Sequence, residues 1–289
     1  MILIGIATLA IAQTAVTQVH DGKHWIWYAR QDQFVANKPD FEALYDYADK
    51  AFLELSQNWG LKPPNEKYAL LIYEKTGGGF ATGNIGEVSA ITKKNEPGIG
   101  VSFDAFSNSE NGIKGYWAYV LITHEMVNLF TGQVVSGGWP LDWWANHRSP
   151  FPLMTAVQIE YSLIPKVAIH HNEQTKDPFV KMFVQLKERY GWHLFRNAFK
   201  TAIDDKIRWD KLGPNPGFLL TNYVCAYLQM SAPESIVPLL SPIVPNFNQK
   251  IMGDIVLAHK KWKSSQKGST KEKQMSESFL AGDYQACLR

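Results

Sequence analysis

The chain has 289 residues, 45% of them hydrophobic and 19% charged, which excludes a disordered chain and is long enough for one large domain or two intimate ones. Its formal net charge is only +2, from 29 Lys+Arg against 27 Asp+Glu, so no concentrated basic face marks it as a nucleic-acid binder. Two cysteines, Cys225 and Cys287, exclude a disulfide framework and a cysteine zinc site.

The N-terminal run "MILIGIATLAIAQTAVTQ" is apolar for its first dozen residues, and Ala10-Ile11-Ala12 forms an A-x-A-like cleavage pattern before Gln13. Residues 1–15 therefore read as a signal peptide for export, secreted or periplasmic. No Lys or Arg precedes the apolar run, which leaves a buried strand or a membrane-associated helix as the alternative. No other stretch reaches the roughly 18 apolar residues that a membrane span needs, so no integral span is expected in the mature chain.

"HWIWYAR" (24–30) predicts a strand. In "DFEALYDYADKAFLELSQNWG" (40–60), Phe41, Leu44, Tyr45, Ala48, Phe52 and Leu55 fall at helical spacing, and Gly60 is a natural C-terminal cap. "KYALLIYEK" (67–75) reads as a buried strand. "TGGGFATGNIGEVSA" (76–90) lacks the endings of a phosphate loop or dinucleotide turn and predicts a hairpin or exposed loop. It leads into strand "GIGVSF" (98–103), so residues 18–110 form a mixed α/β subdomain.

Helical patterning takes over in residues 111–245. "GIKGYWAYVLITHEMVNLF" sets Ile113, Trp117, Val120, Leu121 and Val127 near one face. Amphipathic helices follow at 149–164, 177–191 and 191–203, then the more apolar "GFLLTNYVCAYLQMS" (217–231). Residues 246–289 form a C-terminal helix and basic tail; the lysine-rich "HKKWKSSQKGSTKEK" (259–273) reads as solvated or frayed rather than as a polyanion site. Cys225 reads as a buried thiol, and a bridge to Cys287 would need the tail to fold back. Ten Trp, twelve Tyr and fifteen Phe suit either a bulky core or an aromatic cleft for peptides or sugars.

The chemistry concentrates in "AYVLITHEMVNLFTG" (118–132). Residues i and i+4 share a helix face, so His124 and residue 128 can point at one metal ion, with Glu125 beside it to take a proton from bound water. That is the logic of H-E-x-x-H, here with Asn128 in place of the second His. A neutral amide oxygen is a weaker zinc ligand than imidazole nitrogen.

Residues 137–146, "GGWPLDWWAN", extend the match. His124-Glu125 followed by this stretch resembles the gluzincin-type zinc metallopeptidases, whose next helix carries G-W-x-x-E-G-x-A. Gly138, Trp139 and Ala145 match, and Asp142 stands at the Glu. "FVQLKERYGWHLF" (183–195) is similar to the helix and turn that follow in secreted, enhancin-like members. The resemblance covers roughly residues 24–230. It implies an α+β, zincin-like fold, with a mixed α/β half packed on a helical half and a cleft between them. It also implies zinc held by His124, Asn128 and Asp142, Glu125 as general base, and a peptide or glycoprotein substrate. Members often add an oxyanion-stabilising Tyr, for which Tyr223 is the candidate here beside its reading as a core residue. His147, or one of His170 and His171, could supply a further ligand. The alternatives are a binding module without peptidase activity and a metal-free enzyme using Glu125 as acid/base.

Overall fold

A computed structural model of the chain describes residues 15–58, 63, 65–74, 77–110, 113–134, 178–208, 211–212, 217–265 and 270–289. The described residues fall into two compact units, 15–134 and 178–289. The first is mixed α/β. The second, among its described residues, is helical.

The first unit is built on a five-stranded sheet of β1 (Val16–Asp21), β2 (Trp25–Arg30), β3 (Tyr68–Tyr73), β4 (Gly79–Thr82) and β5 (Gly98–Ser102). Its spatial order is β1-β2-β3-β5-β4. The central strands β2, β3 and β5 are parallel. The edges β1 and β4 are antiparallel to their neighbours. Parallel strands are covered on both faces, which is why "YALLIY" and "GIGVS" are nearly unbroken apolar runs. Strand β1 is one of the elements that the sequence reading missed.

Between β2 and β3 come α1 (Gln31–Ala36) and α2 (Lys38–Leu53). Pro39 sits in the first turn of α2, where its missing N–H costs nothing. The expected core face is largely present: Phe41, Leu44, Ala48 and Phe52 are buried, joined by Tyr47 and Ala51, while Tyr45 is only half-buried. The helix ends in a wider π turn, Glu54–Asn58, that keeps Leu55 inside. Gly60, the expected cap, lies outside the described residues.

Residues 76–90 are not simply a loop. Gly79–Thr82 becomes the edge strand, and Gly86–Thr92 forms helix α3. Phe80 of β4 sits opposite Gly100 of β5, and a Cβ at Gly100 would stand 2.1 Å from the Phe80 ring. The missing side chain is thus the socket that seats the edge strand.

After α4 (Asp104–Ser107) and a small hairpin of β6 (Ser109–Glu110) and β7 (Ile113–Lys114) comes α5 (Tyr116–Val134), which carries the His-Glu motif. It packs on the sheet and on α2: Phe130 meets Phe52 edge-on at 5.0 Å, and the Tyr47 hydroxyl bonds Thr123, one residue before His124. The expected boundary near residue 110 therefore does not separate motif and sheet. Burying a side chain the size of Phe130 contributes about 1.5–3 kcal/mol, so the register of α5 is strongly fixed.

In the second unit α6 (Pro178–Tyr190) stops at Gly191, whose left-handed φ of 69° lets the chain turn into α7 (Trp192–Asp205). Then come α8 (Phe218–Ser231), α9 (Val237–Leu240), α10 (Gln249–Ser265) and α11 (Thr270–Leu280), and a last 3₁₀ turn, Tyr284–Cys287. The expectation of a frayed tail is corrected here. Met252, Ile255, Ala258, His259 and Trp262 recur at three- and four-residue steps and are buried, so the lysines decorate a packed helix. Trp262 stacks on Phe279 of α11 at 4.9 Å. The tail does fold back, yet Cys225 and Cys287 are both free and buried.

Candidate functional site

The helix α5 is apolar nearly all round, and most of it is buried. Its half-buried residues include Trp117, Leu121, His124 and Asn128, which recur at four, seven and eleven residues from the first and so share one stripe. Trp117 and Leu121, expected among the core-facing positions, thus flank the motif on its accessible side. His124 and Asn128 share that side, as the spacing predicted.

Glu125 is turned away from the stripe and is only 6% exposed. Burial pushes its carboxyl up to about 7, from an ordinary value of 4.5; an opposing hydrogen bond comes from Asn128, whose Nδ2 donates to Glu125 Oε2 at 3.0 Å. Burial also pushes the His124 imidazole down, favouring the neutral ring. The motif helix therefore presents a neutral imidazole and a carboxyl able to take or give a proton near neutrality.

A residue absent from the sequence reading completes the site. Gly79 of β4 lies directly against Glu125: a Cβ there would stand 2.7 Å from Cγ and 3.0 Å from Oε1. An edge strand of the sheet is thereby brought to the carboxyl. Its only sequence signal was the glycine run 77–79. Those glycines are held in place at their base, where Tyr73 donates to the Gly78 carbonyl at 3.0 Å and the Gly77 amide donates to Asp104 at 2.9 Å.

As a zinc site the donor set does not fit among the described residues, which bring together no three His, Cys, Asp or Glu side chains around one point. His124 offers one imidazole. Asn128 offers an amide whose nitrogen is engaged by Glu125. Asp142, His147, His170 and His171 lie outside the described residues.

Tyr223 requires a correction. It sits in α8 of the second unit, fully buried, and its hydroxyl donates to the Phe279 carbonyl at 3.1 Å. Its only proton is committed to the backbone, so it is a core tyrosine.

Two other features compete for attention. An open groove of about 740 Å³ lies on the opposite face of the sheet, with Leu71, Tyr73, Phe80 and Ile85 among its walls. Arg30 at its rim is already paired with Asp32 and Glu74. In the second unit, Asp205 is buried at the meeting of α7, α8 and α10. It accepts from Tyr227 at 2.7 Å and from His259 Nε2 at 2.8 Å, and pairs with Lys263. Burial pushes its carboxyl up, but these donors outweigh burial and leave it below the ordinary 3.8. Tertiary structure alone brings the four together, since His259 lies 54 residues from Asp205.

No model of a known protein family matches the chain, and no curated protein or solved structure matches it significantly.

Proposed function

We propose that the chain is an exported, gluzincin-like peptidase scaffold with a degenerate zinc site, which binds an extended peptide or glycopeptide along β4 and presents Glu125 to it as acid/base. The observation that carries this reading is the contact between Gly79 and Glu125. Among the described residues no strand pairs with the outer edge of β4. An extended peptide can add to such an edge through backbone hydrogen bonds, which places its amides beside the carboxyl. The sheet order with an antiparallel edge strand, and a His-Glu helix behind it, supports the zincin-like assignment. Export rests on the apolar leader; among the described residues no helix is long and apolar enough to cross a membrane.

The second reading, a peptide-binding module or a metal-free enzyme, is favoured by the donor set, since the described residues bring together no three His, Cys, Asp or Glu side chains around one point. Zinc titration of wild type, Asn128→His, and Asn128→His with Glu125→Gln, beside assays on a mixed peptide library, separates the two. Asn128→His should raise zinc affinity at least about tenfold, roughly 1.4 kcal/mol, and hydrolysis should rise with it; the double variant should bind zinc and not hydrolyse. An Asn128→His protein that binds zinc no better than wild type ends the degenerate-site reading and leaves the second.

A further inference from the structure

Asn128 stands four residues after His124 and three after Glu125. On a helix both are neighbours, so Asn128 could share a ligand with His124 or hold Glu125. The structure shows the second task, with Nδ2 donating to Oε2 at 3.0 Å. An ionised carboxylate only accepts, so the amide nitrogen is the atom that must face it.

The two oxygens of Glu125 are thereby made different. Oε2 is held by Asn128. Among the described residues Oε1 accepts no hydrogen bond; it lies under Gly79, where a Cβ would come within 3.0 Å. A carboxylate turns easily about its last torsion, so without a partner on one oxygen neither would keep its aim. A charge-assisted hydrogen bond is strong enough to stop that rotation in a buried setting.

We propose that Asn128 is a positioning residue for Glu125: it pins Oε2 so that Oε1 is aimed at Gly79 of β4. The role in catalysis rests on the acid/base reading of Glu125 above; the pinning itself does not. The residue at the second-His position of the H-E-x-x-H pattern thus fixes the carboxyl beside it.

The test uses the full chain, labelled with ¹³C at the glutamate side-chain carboxyl, as wild type and as Asn128→Leu, Asn128→Asp and Asn128→Gln. The Glu125 resonance is assigned by its loss in Glu125→Gln. It should move in the Leu and Asp variants and return most of the way in the Gln variant, which keeps an amide donor. A Glu125 resonance unmoved in both the Leu and Asp variants overturns the proposal. Asn128→Asp is close to isosteric and keeps the test readable if the Leu variant does not fold. A moved resonance with no peptide cleavage by any variant supports the pinning and counts against the peptidase reading alone.

Discussion

Glu125 in the first unit and Asp205 in the second are both buried carboxyls, and they are held in opposite states. Among the described residues Glu125 has one hydrogen-bond donor, Asn128, and burial wins, lifting it to about 7. Asp205 has Tyr227, His259 and Lys263, and the donors win, holding it below 3.8. The difference teaches that burial alone does not make a buried carboxyl reactive; the count of donors around it decides. A carboxyl surrounded by donors is a staple between helices. One with a single donor is a stored cost, worth keeping only where it does chemistry.

The largest expected effect tests the staple. Asp205→Ala leaves His259 and Lys263 without their buried partner and should cost roughly 3–5 kcal/mol in denaturant unfolding. A loss under about 1 kcal/mol would make Asp205 no more than a surface pair and dissolve the contrast. The wild-type contribution should persist above pH 3.8 and fade only as the pH drops through the depressed folded value, because a lowered carboxyl stabilises the ionised fold.

Glu125→Gln tests the stored cost, and the sign reverses. A raised folded value means that the protonated form is favoured by the fold, so its stability is fully present below 4.5 and is lost as the pH rises through about 7. The gap between 4.5 and about 7 corresponds to roughly 3 kcal/mol. Glu125→Gln should therefore be more stable than wild type at about pH 8 by up to that amount, and no more stable at about pH 4. Thermal melts at the two pH values decide it; equal differences at both would mean that Glu125 is not a stored cost.

The smallest effect sharpens the count of donors. Tyr227→Phe removes one of three from Asp205 and should cost about 2 kcal/mol, the worth of a hydrogen bond to a charged group. It should also raise the Asp205 titration part of the way toward its ordinary value, readable by carboxyl NMR. No movement would show that Lys263 and His259 suffice.

Much of the local structure was legible in the sequence. The strands at 25–30, 68–73 and 98–102, the helices at 38–53 and 116–134, and the shared side of His124 and Asn128 follow from apolar periodicity and i, i+4 spacing, which neighbouring residues set among themselves. What only the tertiary structure decided are the contacts between distant segments. Gly79 reaches Glu125 because Phe80 seats over Gly100 and sets β4 beside β5. Tyr223 loses its candidate role because Phe279 takes its hydroxyl across 56 residues. The lysine-rich tail packs because Trp262 finds Phe279. Asn128 donates to Glu125 for a reason that spacing cannot supply: i, i+3 and i, i+4 partners are both within its reach, and burial of Glu125 favours the first, since a carboxylate removed from water must find a donor.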